Sequence, residues 1–291
     1  MRRRITIKDF LGGFLRLIRW PNLVIIAVTQ YMARIFLIGP LNEWKQVFLE
    51  PAIFLIVLST VLIAAAGYII NDYFDVKIDL INKPEKVIIG RYLKRRVAIG
   101  THQLFNALGC IIALWVSKWV FLVSVLSATL LWVYASYFKK RPFIGNLIVS
   151  LLTASSLLIL VVYYPQNRAL VCLYSLFAFG ITLIREIIKD IEDVKGDASH
   201  GCQTLPIIWG IRRTKLLIYG LVILFILSLF GAAHWLQNVQ LGWMFLVLMG
   251  FIGTLVYRLV YADTKKEFGF LSNLCKLIMI LGMVSMVWIV Y

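Results

Sequence analysis

Residues 51–79 read PAIFLIVLSTVLIAAAGYIINDYFDVKID, an apolar run that ends in three regularly spaced aspartates. About 20 apolar residues in a helix are enough to cross the hydrocarbon core of a bilayer. At about 100° per residue, Asn71, Asp72, Asp75 and Asp79 fall within one arc of such a helix. The stretch therefore predicts a membrane-spanning helix with three carboxylates that project in one direction from its end.

The composition of the whole chain indicates the same lipid environment. Of its 291 residues, 61% are hydrophobic and only 15% are charged, with a mean hydropathy of +0.87. Soluble domains carry roughly 25% charged residues, so this chain has too few polar side chains to cover its apolar ones in water. The four cysteines show neither a disulfide framework nor a metal-ligand spacing. An ordinary soluble domain, a disordered chain and a disulfide-rich secreted module are all excluded.

Nine stretches of the chain are apolar enough and long enough to span a membrane. Helices are expected throughout, because backbone amides within lipid must find partners inside their own segment. The predicted spans lie at residues 22–39, 51–71, 99–117, 119–138, 143–164, 168–188, 216–236, 241–261 and 273–291. The predicted fold class is therefore an all-α membrane protein with nine transmembrane helices.

The distribution of basic residues indicates the orientation. Most of the 30 Lys and Arg residues fall in the N-terminal tail and around the loops after the second, fourth, sixth and eighth spans. Cytoplasmic loops carry this excess in multi-pass proteins. We expect a protein integral to the cell (inner) membrane and surrounded by membrane lipids, with its N-terminus cytoplasmic and its C-terminus outside. Topology accounts for most of the net charge of +16, so no nucleic-acid partner is expected.

The N-terminal segment differs from the spans. Residues 5–19 combine apolar side chains with Lys8, Arg16 and Arg19, in the pattern of a helix that lies on the membrane surface. We expect an interfacial amphipathic helix within residues 1–21 and a nine-helix transmembrane domain over residues 22–291.

Acidic residues are concentrated in two related segments. Nine of the 14 Asp and Glu residues follow the second or the sixth span. Residues 72–79 and 190–197 share the pattern D-x-x-D-V-K-x-D, with an offset of 118 residues. On a helix, the polar residues of the second segment would again lie within one arc; they are Lys189, Asp190, Asp193 and Asp197. We name residues 71–79 the first aspartate motif and residues 190–197 the second aspartate motif.

Carboxylate clusters of this kind are costly near lipid unless positive charge sits among them. With no His or Cys ligands alongside, they suit Mg²⁺, a hard cation that takes oxygen ligands and shares them with substrate phosphates. Lys86, Lys139 and Lys189 lie near the motifs and would neutralise a diphosphate as it leaves, although membrane topology alone also explains each of them. The alternative for the motifs is a pair of solvated helix ends neutralised by neighbouring lysines.

The apolar spans fit the rest of such a substrate. A diphosphate with a long isoprenoid tail matches a polar cytoplasmic mouth above an apolar cavity. Aromatic rings stabilise an allylic cation through cation–π attraction, and surroundings walled by lipid exclude water. The candidate rings, for which packing is the alternative role, are Tyr68, Trp132, Tyr134 and Tyr137.

These motifs resemble those of the UbiA superfamily of intramembrane prenyltransferases. Residues 71–79, N-D-x-x-D-x-x-x-D, and residues 190–197, D-x-x-D-x-x-x-D, are similar to the two Asp-rich motifs of that family. Residues 134–139, Tyr-Ala-Ser-Tyr-Phe-Lys, resemble the tyrosine–lysine motif between them, and residues 19–22, Arg-Trp-Pro-Asn, resemble the start of the first span. One departure lies at residues 82–86, Asn-Lys-Pro-Glu-Lys, where many members have Asn-Arg-Pro and then a basic-proline pair.

The resemblance implies a UbiA-like bundle of nine helices with a central cavity and cytoplasmic cap loops, so that residues 22–291 form a prenyltransferase domain. It implies an enzyme that uses Mg²⁺ and takes a prenyl diphosphate and a lipid or aromatic acceptor. The catalytic residues that it implies are Asp75, Asp79, Asp193, Asp197, Lys139 and Tyr134. The Mg²⁺ ligands that it implies are Asn71, Asp75, Asp79, Asp193 and Asp197. The residues expected to bind substrate are Asn22, Asn71, Asp72, Lys86, Lys189 and Asp190.

The acceptor is less sharply defined by the resemblance. Residues 20–23, the tyrosine–lysine motif and Gly145-Asn146 are most similar to the digeranylgeranylglyceryl phosphate synthase-like branch. That branch transfers a geranylgeranyl group to geranylgeranylglyceryl phosphate. Prenylation of an aromatic quinone precursor, such as 4-hydroxybenzoate, and terpene cyclisation stay open as alternatives.

A different class of function is a lipid or ion transporter, in which the carboxylates would carry ions. Transporters place charged sites near the membrane midplane, with inverted repeats and broken helices. Both motifs are predicted at one face and in parallel order, which favours an enzyme. In the third span, His102 and Asn106 either polarise an acceptor hydroxyl or, as we expect, form hydrogen bonds between helices. The sequence assigns no oligomeric state.

Overall fold

The computed structural model describes residues 7–39, 44–237 and 239–289, with the side chains of residues 7–9 and Lys86 left out. Within these ranges the chain is helical and forms no β-strand beyond an isolated bridge between Ile89 and Leu93. The α-helices of the described chain are α1 (Ile7–Leu17), α2 (Trp20–Met32), α3 (Trp44–Leu49), α4 (Pro51–Asn82), α5 (Arg95–Val116), α6 (Lys118–Ser136), α7 (Ile144–Tyr163), α8 (Arg168–Glu192), α9 (Val194–Ser199), α10 (Leu205–Trp235), α11 (Val239–Tyr261) and α12 (Lys265–Val284).

Nine helical segments in the described part of the chain are long and apolar enough to cross a membrane, which confirms the predicted number. They are Trp20–Ile38, Pro51–Asn82, Arg95–Val116, Lys118–Ser136, Ile144–Tyr163, Arg168–Glu192, Leu205–Trp235, Val239–Tyr261 and Lys265–Trp288. The chain is therefore an all-α, integral, multi-pass membrane protein, as predicted.

Several spans are longer than their apolar parts predict. Helix α4 has 32 residues, which makes it about 48 Å long at 1.5 Å per residue, against about 30 Å of hydrocarbon. Its last turns carry the first aspartate motif and form a polar extension of the spanning part. Helix α8 likewise continues to Glu192, and α10 begins at Leu205 and changes direction at Gly210, where φ is 78°.

The chain divides into two compact units, of which the first comprises Met1–Val28 and Glu50–Phe138. Its described part is built on α4, which packs against α5 and α6. At the α4–α5 contact the Ser59 hydroxyl donates to the carbonyl oxygen of Gly109 at 2.8 Å. The absence of a side chain at Gly109 lets the two helices approach each other closely.

The segment between α4 and α5 folds back onto the first unit. Its buried side chains Ile88, Ile89 and Leu93 share an apolar cluster with Leu17 at the end of α1 and Ile69 of α4. The burial of these apolar groups stabilises both the segment and the end of α1 against α4. The N-terminal helix is therefore attached to the part of α4 that leads into the first aspartate motif.

Helix α1 lies within the predicted interfacial segment. Leu17 is buried against the protein, whereas Phe10, Leu11 and Leu15 are exposed. An apolar face that the protein leaves uncovered is typical of a helix at a membrane surface. The interfacial position itself stays a prediction.

The second unit comprises Thr29–Leu49 and Lys139–Tyr291. Its described part is centred on α8, which packs against α7, α10 and α12. Phe177 of α8 lies beside Phe225 of α10, with ring centroids 5.6 Å apart. The chain's four cysteines form no disulfide bond, in agreement with the spacing in the sequence.

Replacement of Gly109 by alanine is expected to destabilise the first unit. A Cβ atom there would lie 2.8 Å from Cγ1 of Ile63 and 3.2 Å from the carbonyl oxygen of Ser59, so α4 and α5 would have to separate. Overpacking costs about 1–3 kcal/mol, of which the better helix propensity of alanine returns about 1 kcal/mol. The midpoint of thermal unfolding in detergent, followed by tryptophan fluorescence, should fall.

Gly100→Ala is the matched control, because Gly100 lies on the same helix and a Cβ atom there would meet no described atom within 4 Å. This variant should unfold at the wild-type temperature or above it, since alanine is the better helix former. Equal unfolding midpoints for the Gly109 and Gly100 variants would contradict the close packing of α4 and α5.

Candidate active site

The first aspartate motif is part of one continuous helix, as its spacing predicts. Asp75 is only 4% exposed, whereas Asn71 and Asp79 are half-buried on neighbouring turns of α4. The side-chain amide of Asn71 donates through Nδ2 to Oδ2 of Asp75 at 2.9 Å. A buried carboxylate is costly unless hydrogen bonds or positive charge compensate it. The motif therefore gathers oxygen atoms whose negative charge favours a cation.

Asp72 belongs to a different group of contacts. Arg19 donates through Nη2 to Oδ1 of Asp72 at 2.8 Å, and its guanidinium carbon lies 4.9 Å from the centroid of the Tyr68 ring. Asn22 donates through Nδ2 to the Tyr68 hydroxyl at 3.3 Å. We name these four residues the Arg19 cluster. The cluster joins the α1–α2 junction to α4 and brings together Asn22 and Asp72, both predicted to bind substrate.

The second aspartate motif is not a continuous helix. Helix α8 ends at Glu192, Asp193 has φ −99° and ψ 6°, and α9 begins at Val194. Aspartate favours helix ends over helix interiors, because its side chain competes for nearby backbone groups. The prediction of a single helical arc is therefore wrong for Lys189, Asp190, Asp193 and Asp197.

The parts of the second motif are held separately. Asn146 of α7 is buried and donates through Nδ2 to Oδ2 of Asp190 at 2.8 Å. Asp197 is 8% exposed within α9, and its backbone carbonyl oxygen accepts from the amide of Cys202 at 3.0 Å. Asp193 lies between these two anchored residues, at the junction of α8 and α9. Each aspartate of the motif therefore has its own local environment.

Lys189 is paired within its own helix. Its Nζ lies 3.3 Å from Oε2 of Glu186, and the guanidinium of Arg185 donates to the other oxygen of that carboxylate. Glu186 is buried, so two cations compensate a charge that would otherwise be costly. A substrate bound by Lys189 would have to compete with Glu186, and this role stays a prediction.

The remaining candidates are placed as follows. Tyr134 lies half-buried on α6, and Lys139 is half-buried in a short 3-10 turn, Phe138–Lys140, whose last residue is exposed. The side chain of Lys86 lies outside the described residues, although its backbone closes the turn Pro84–Lys86. Their roles toward a diphosphate stay predictions.

His102 connects two helices, as expected. Its Nδ1 lies 2.9 Å from the carbonyl oxygen of Ala66 in α4, and a carbonyl only accepts, so Nδ1 carries the proton. Nε2 then accepts from Nδ2 of Asn106 at 3.1 Å. The Trp132 ring packs beside the imidazole, with centroids 5.2 Å apart. The hydrogen bond from α5 to α4 confirms the interhelical role of His102.

The donor set of the two motifs fits Mg²⁺. Within the described residues, no group of three His, Cys, Asp or Glu side chains comes together as a metal site. Mg²⁺ in phosphate-handling sites takes only one or two carboxylates, and water and substrate oxygens complete its octahedral shell. A site in which the protein and the substrate share the metal therefore requires only a partial set of carboxylate and amide oxygens, without sulfur or imidazole.

Three contacting residues were not predicted as part of the site: Arg19, Asn146 and Glu186. A signal existed for Asn146, because an amide inside an apolar helix needs a hydrogen-bond partner. Glu186 carried a similar signal, since it lies next to Arg185 and three residues before Lys189. Arg19 belongs to the motif at residues 19–22, but nothing in the sequence indicated its partner Asp72, which lies 53 residues further along the chain.

Comparisons with known proteins agree with this architecture. The sequence profile of the UbiA prenyltransferase family matches residues 34–283. Digeranylgeranylglyceryl phosphate synthase of Thermococcus kodakarensis is 34% identical over 201 residues, which cover 69% of this chain and 70% of that relative.

Solved structures share the fold. One, which concerns digeranylgeranylglyceryl phosphate synthase in membranes, covers 96% of this chain and 98% of its own, with a TM-score of 0.71 and 24% identity. A UbiA homologue from Archaeoglobus fulgidus bound to DMAPP and Mg²⁺ covers 94% of this chain and 99% of its own, with a TM-score of 0.62 and 16% identity. At these identities the likeness establishes the fold alone.

Proposed function

Because the chain belongs to the UbiA prenyltransferase family, we propose that it transfers an isoprenyl group from a prenyl diphosphate to a membrane-associated acceptor with the help of Mg²⁺. Family membership makes the chain a prenyltransferase and sets aside the lipid or ion transporter. The structural observation that carries the proposal is the burial of Asp75 and Asp197, one carboxylate in each motif, because a bound cation would offset the cost of burying these charges.

The proposed donor is geranylgeranyl diphosphate, and the proposed acceptor is geranylgeranylglyceryl phosphate. The support is that relatives 32% and 34% identical to this chain are named digeranylgeranylglyceryl phosphate synthase. In this reaction the bond between the isoprenyl C1 and the diphosphate oxygen breaks, and the acceptor hydroxyl oxygen bonds to that carbon. The hydroxyl proton is released, so that ether and inorganic pyrophosphate are the products.

The charge that develops on the diphosphate must be neutralised as it leaves. Bound Mg²⁺ would supply most of this neutralisation. The residues that we propose to hold it are Asn71, Asp75, Asp79, Asp193 and Asp197. We propose that Lys139 adds a positive charge to the leaving group and that the Tyr134 ring faces the reacting carbon, where cation–π attraction stabilises developing positive charge.

The other site residues are proposed to act around this centre. Asn22, Lys86 and Lys189 are proposed to bind substrate, with Asn22 working from within the Arg19 cluster. Asp72 and Asp190 are proposed to support the two motifs, since each accepts a hydrogen bond from a neighbouring side chain.

We also propose the orientation in the membrane. The basic residues near both aspartate motifs favour a cytoplasmic site, with the N-terminus cytoplasmic and the C-terminus outside. Residues 1–21 are proposed to form an interfacial segment, supported by the exposed apolar face of α1, ahead of a prenyltransferase domain at residues 22–291.

Turnover with defined substrates tests the proposed function. Purified protein in detergent is given Mg²⁺, one of three prenyl diphosphates (geranyl, farnesyl or geranylgeranyl) and either geranylgeranylglyceryl phosphate or 4-hydroxybenzoate. We expect pyrophosphate release that requires both metal and acceptor and is fastest with the geranylgeranyl donor and the glyceryl phosphate. Release without any acceptor would indicate cyclisation instead, and turnover with 4-hydroxybenzoate alone would contradict the proposed acceptor.

A further inference from the structure

We propose that Arg19 and Asn146 are equivalent positioning residues, each of which holds the first aspartate of one motif and thereby orients the oxygen ligands that follow. The inference deepens the proposed function and rests on it. It assigns a shared role to an arginine before α2 and an asparagine in α7.

The equivalence comes from the sequence repeat. Asp72 and Asp190 occupy the same position in the pattern D-x-x-D-V-K-x-D, 118 residues apart. Each accepts a hydrogen bond of 2.8 Å from a side chain that lies far away in sequence and within its own unit of the fold. The two donors differ in type and in the element that carries them, so the shared feature is the anchoring of the first aspartate.

In the first unit, the anchor fixes the end of α4. Asp72 precedes Asp75 and Asp79 on the same arc of a helix that extends beyond the length of a membrane span. Arg19 holds one oxygen of Asp72, and the proposed metal ligands Asp75 and Asp79 follow on the same helix. Charge-assisted hydrogen bonds of this kind are shorter and stronger than neutral ones, so the contact restricts rotation of the helix end.

The backbone conformation of Arg19 indicates that its surroundings hold this residue in place. Its φ is 53°, a left-handed value that a residue with a long side chain rarely adopts. Such a backbone persists only where its surroundings determine it. Here the surroundings are the Tyr68 ring beneath the guanidinium, the carboxylate of Asp72, and the buried Leu17 two residues earlier. A basic residue whose only role was to set the orientation of the protein in the membrane would not require these three contacts.

In the second unit, the anchor fixes the last turn of α8. Asp190 lies two residues before the helix ends at Glu192, Asp193 occupies the junction, and Asp197 lies in α9. The point at which α8 ends therefore sets where both later carboxylates lie. Asn146 is buried, so its hydrogen bond to Asp190 is shielded from competing water.

The test measures metal binding as well as turnover. Arg19→Ala and Asn146→Ala are each expected to raise the Mg²⁺ concentration for half-maximal turnover by about 10- to 100-fold, as loss of a group that orients a metal ligand does. The affinity for Mn²⁺ in the presence of pyrophosphate, followed by electron paramagnetic resonance, should fall by the same factor. Asn146→Leu, which keeps a side chain of similar length but removes the donor, should behave like Asn146→Ala.

Matched controls separate positioning from general damage. Arg16→Ala removes an arginine of α1 that bonds to its own helix at Gly12, and Thr153→Ala removes a hydroxyl of α7 that bonds to its own helix at Val149. Both controls should keep wild-type metal dependence. Arg19→Lys should recover part of the loss, because a lysine keeps the charge without the fork of donors.

Double variants decide whether each residue acts through its aspartate. In the Asp72→Ala background, Arg19→Ala should cause no further loss, and the same holds for Asn146→Ala in the Asp190→Ala background. Additive losses, or Mn²⁺ affinities equal to wild type in Arg19→Ala and Asn146→Ala, would overturn the proposal. If the wild-type protein gave no turnover, the proposed function would fail, whereas the Mn²⁺ measurement would still decide whether the two residues position the motifs.

Discussion

Asp75→Asn is expected to lower kcat by about 10²- to 10³-fold while the protein stays folded. Asp75 is the most deeply buried carboxylate of the first motif, and asparagine has the same shape. Its amide oxygen can still accept the hydrogen bond from Asn71 that Asp75 accepts at 2.9 Å. What the substitution removes is the negative charge that would hold a cation against the diphosphate. Asp193→Asn should have a comparable effect in the second motif.

The control for this prediction is Asp263→Asn, the same chemical change at a carboxylate that is 86% exposed and pairs with Lys215 at 3.3 Å. Surface ion pairs of this kind contribute little, so activity should stay within about twofold of wild type. Pyrophosphate release at saturating Mg²⁺ and prenyl diphosphate measures the effect, and elution in size-exclusion chromatography checks the fold. An Asp75→Asn enzyme as active as the Asp263→Asn enzyme would show that Asp75 is not a metal ligand.

Hydropathy was sufficient to predict how many helices cross the membrane but not where they end. In α4 the apolar run stops near residue 71, whereas the helix continues to Asn82. Hydropathy measures the tendency of apolar side chains to be buried in lipid. It does not indicate whether the polar residues that follow stay helical. Those polar turns are stabilised by particular contacts, such as the packing of Tyr73 and Val76 against the apolar cluster that contains Leu17 and Ile88.

The repeat places the same acidic residues in both motifs, but the continuous helix that it predicted for the second motif is wrong. Equal spacing of acidic residues implies equal geometry only where the backbone is the same, and here it is not. Gly196 stands in the second motif where the first has Ile78, and glycine disfavours the interior of a helix by about 1 kcal/mol relative to alanine. Gly196 lies inside α9, however, so this difference between the motifs does not by itself account for the break at Asp193.

Long-range pairs were beyond what periodicity can predict. The hydrogen bonds of Asp72 and Asp190 join residues 53 and 44 positions apart, and neither spacing follows from a helical period. A single sequence records that Arg19 and Asn146 are polar, whereas the choice of partner depends on how α2 and α7 pack within their units. The sequence therefore allowed candidate site residues to be selected, whereas the residues that contact them could be identified only from the fold.

Lys139→Ala is expected to lower kcat/KM for the prenyl diphosphate by about 10²- to 10³-fold, whereas Lys140→Ala should stay within about twofold of wild type. The two lysines are neighbours in the turn Phe138–Lys140, so either substitution removes one positive charge from the same place in the topology. They differ in burial, since Lys139 is half-buried and Lys140 is exposed. A charge screened less by water acts more strongly on a departing diphosphate.

The two lysine variants show whether activity depends on the location of one lysine or only on the total number of positive charges near the site. Membrane topology and long-range attraction of an anionic substrate depend on the number of positive charges, which is the same in both variants. Steady-state kinetics with varied prenyl diphosphate, together with the fraction of protein recovered in the membrane, distinguishes the two effects. Equal losses in the two variants would assign Lys139 to the general field, and no loss in either would remove it from the site. A loss confined to Lys139→Ala would assign the effect to the position and burial of this one charge and not to the number of basic residues, as the proposed role of Lys139 requires.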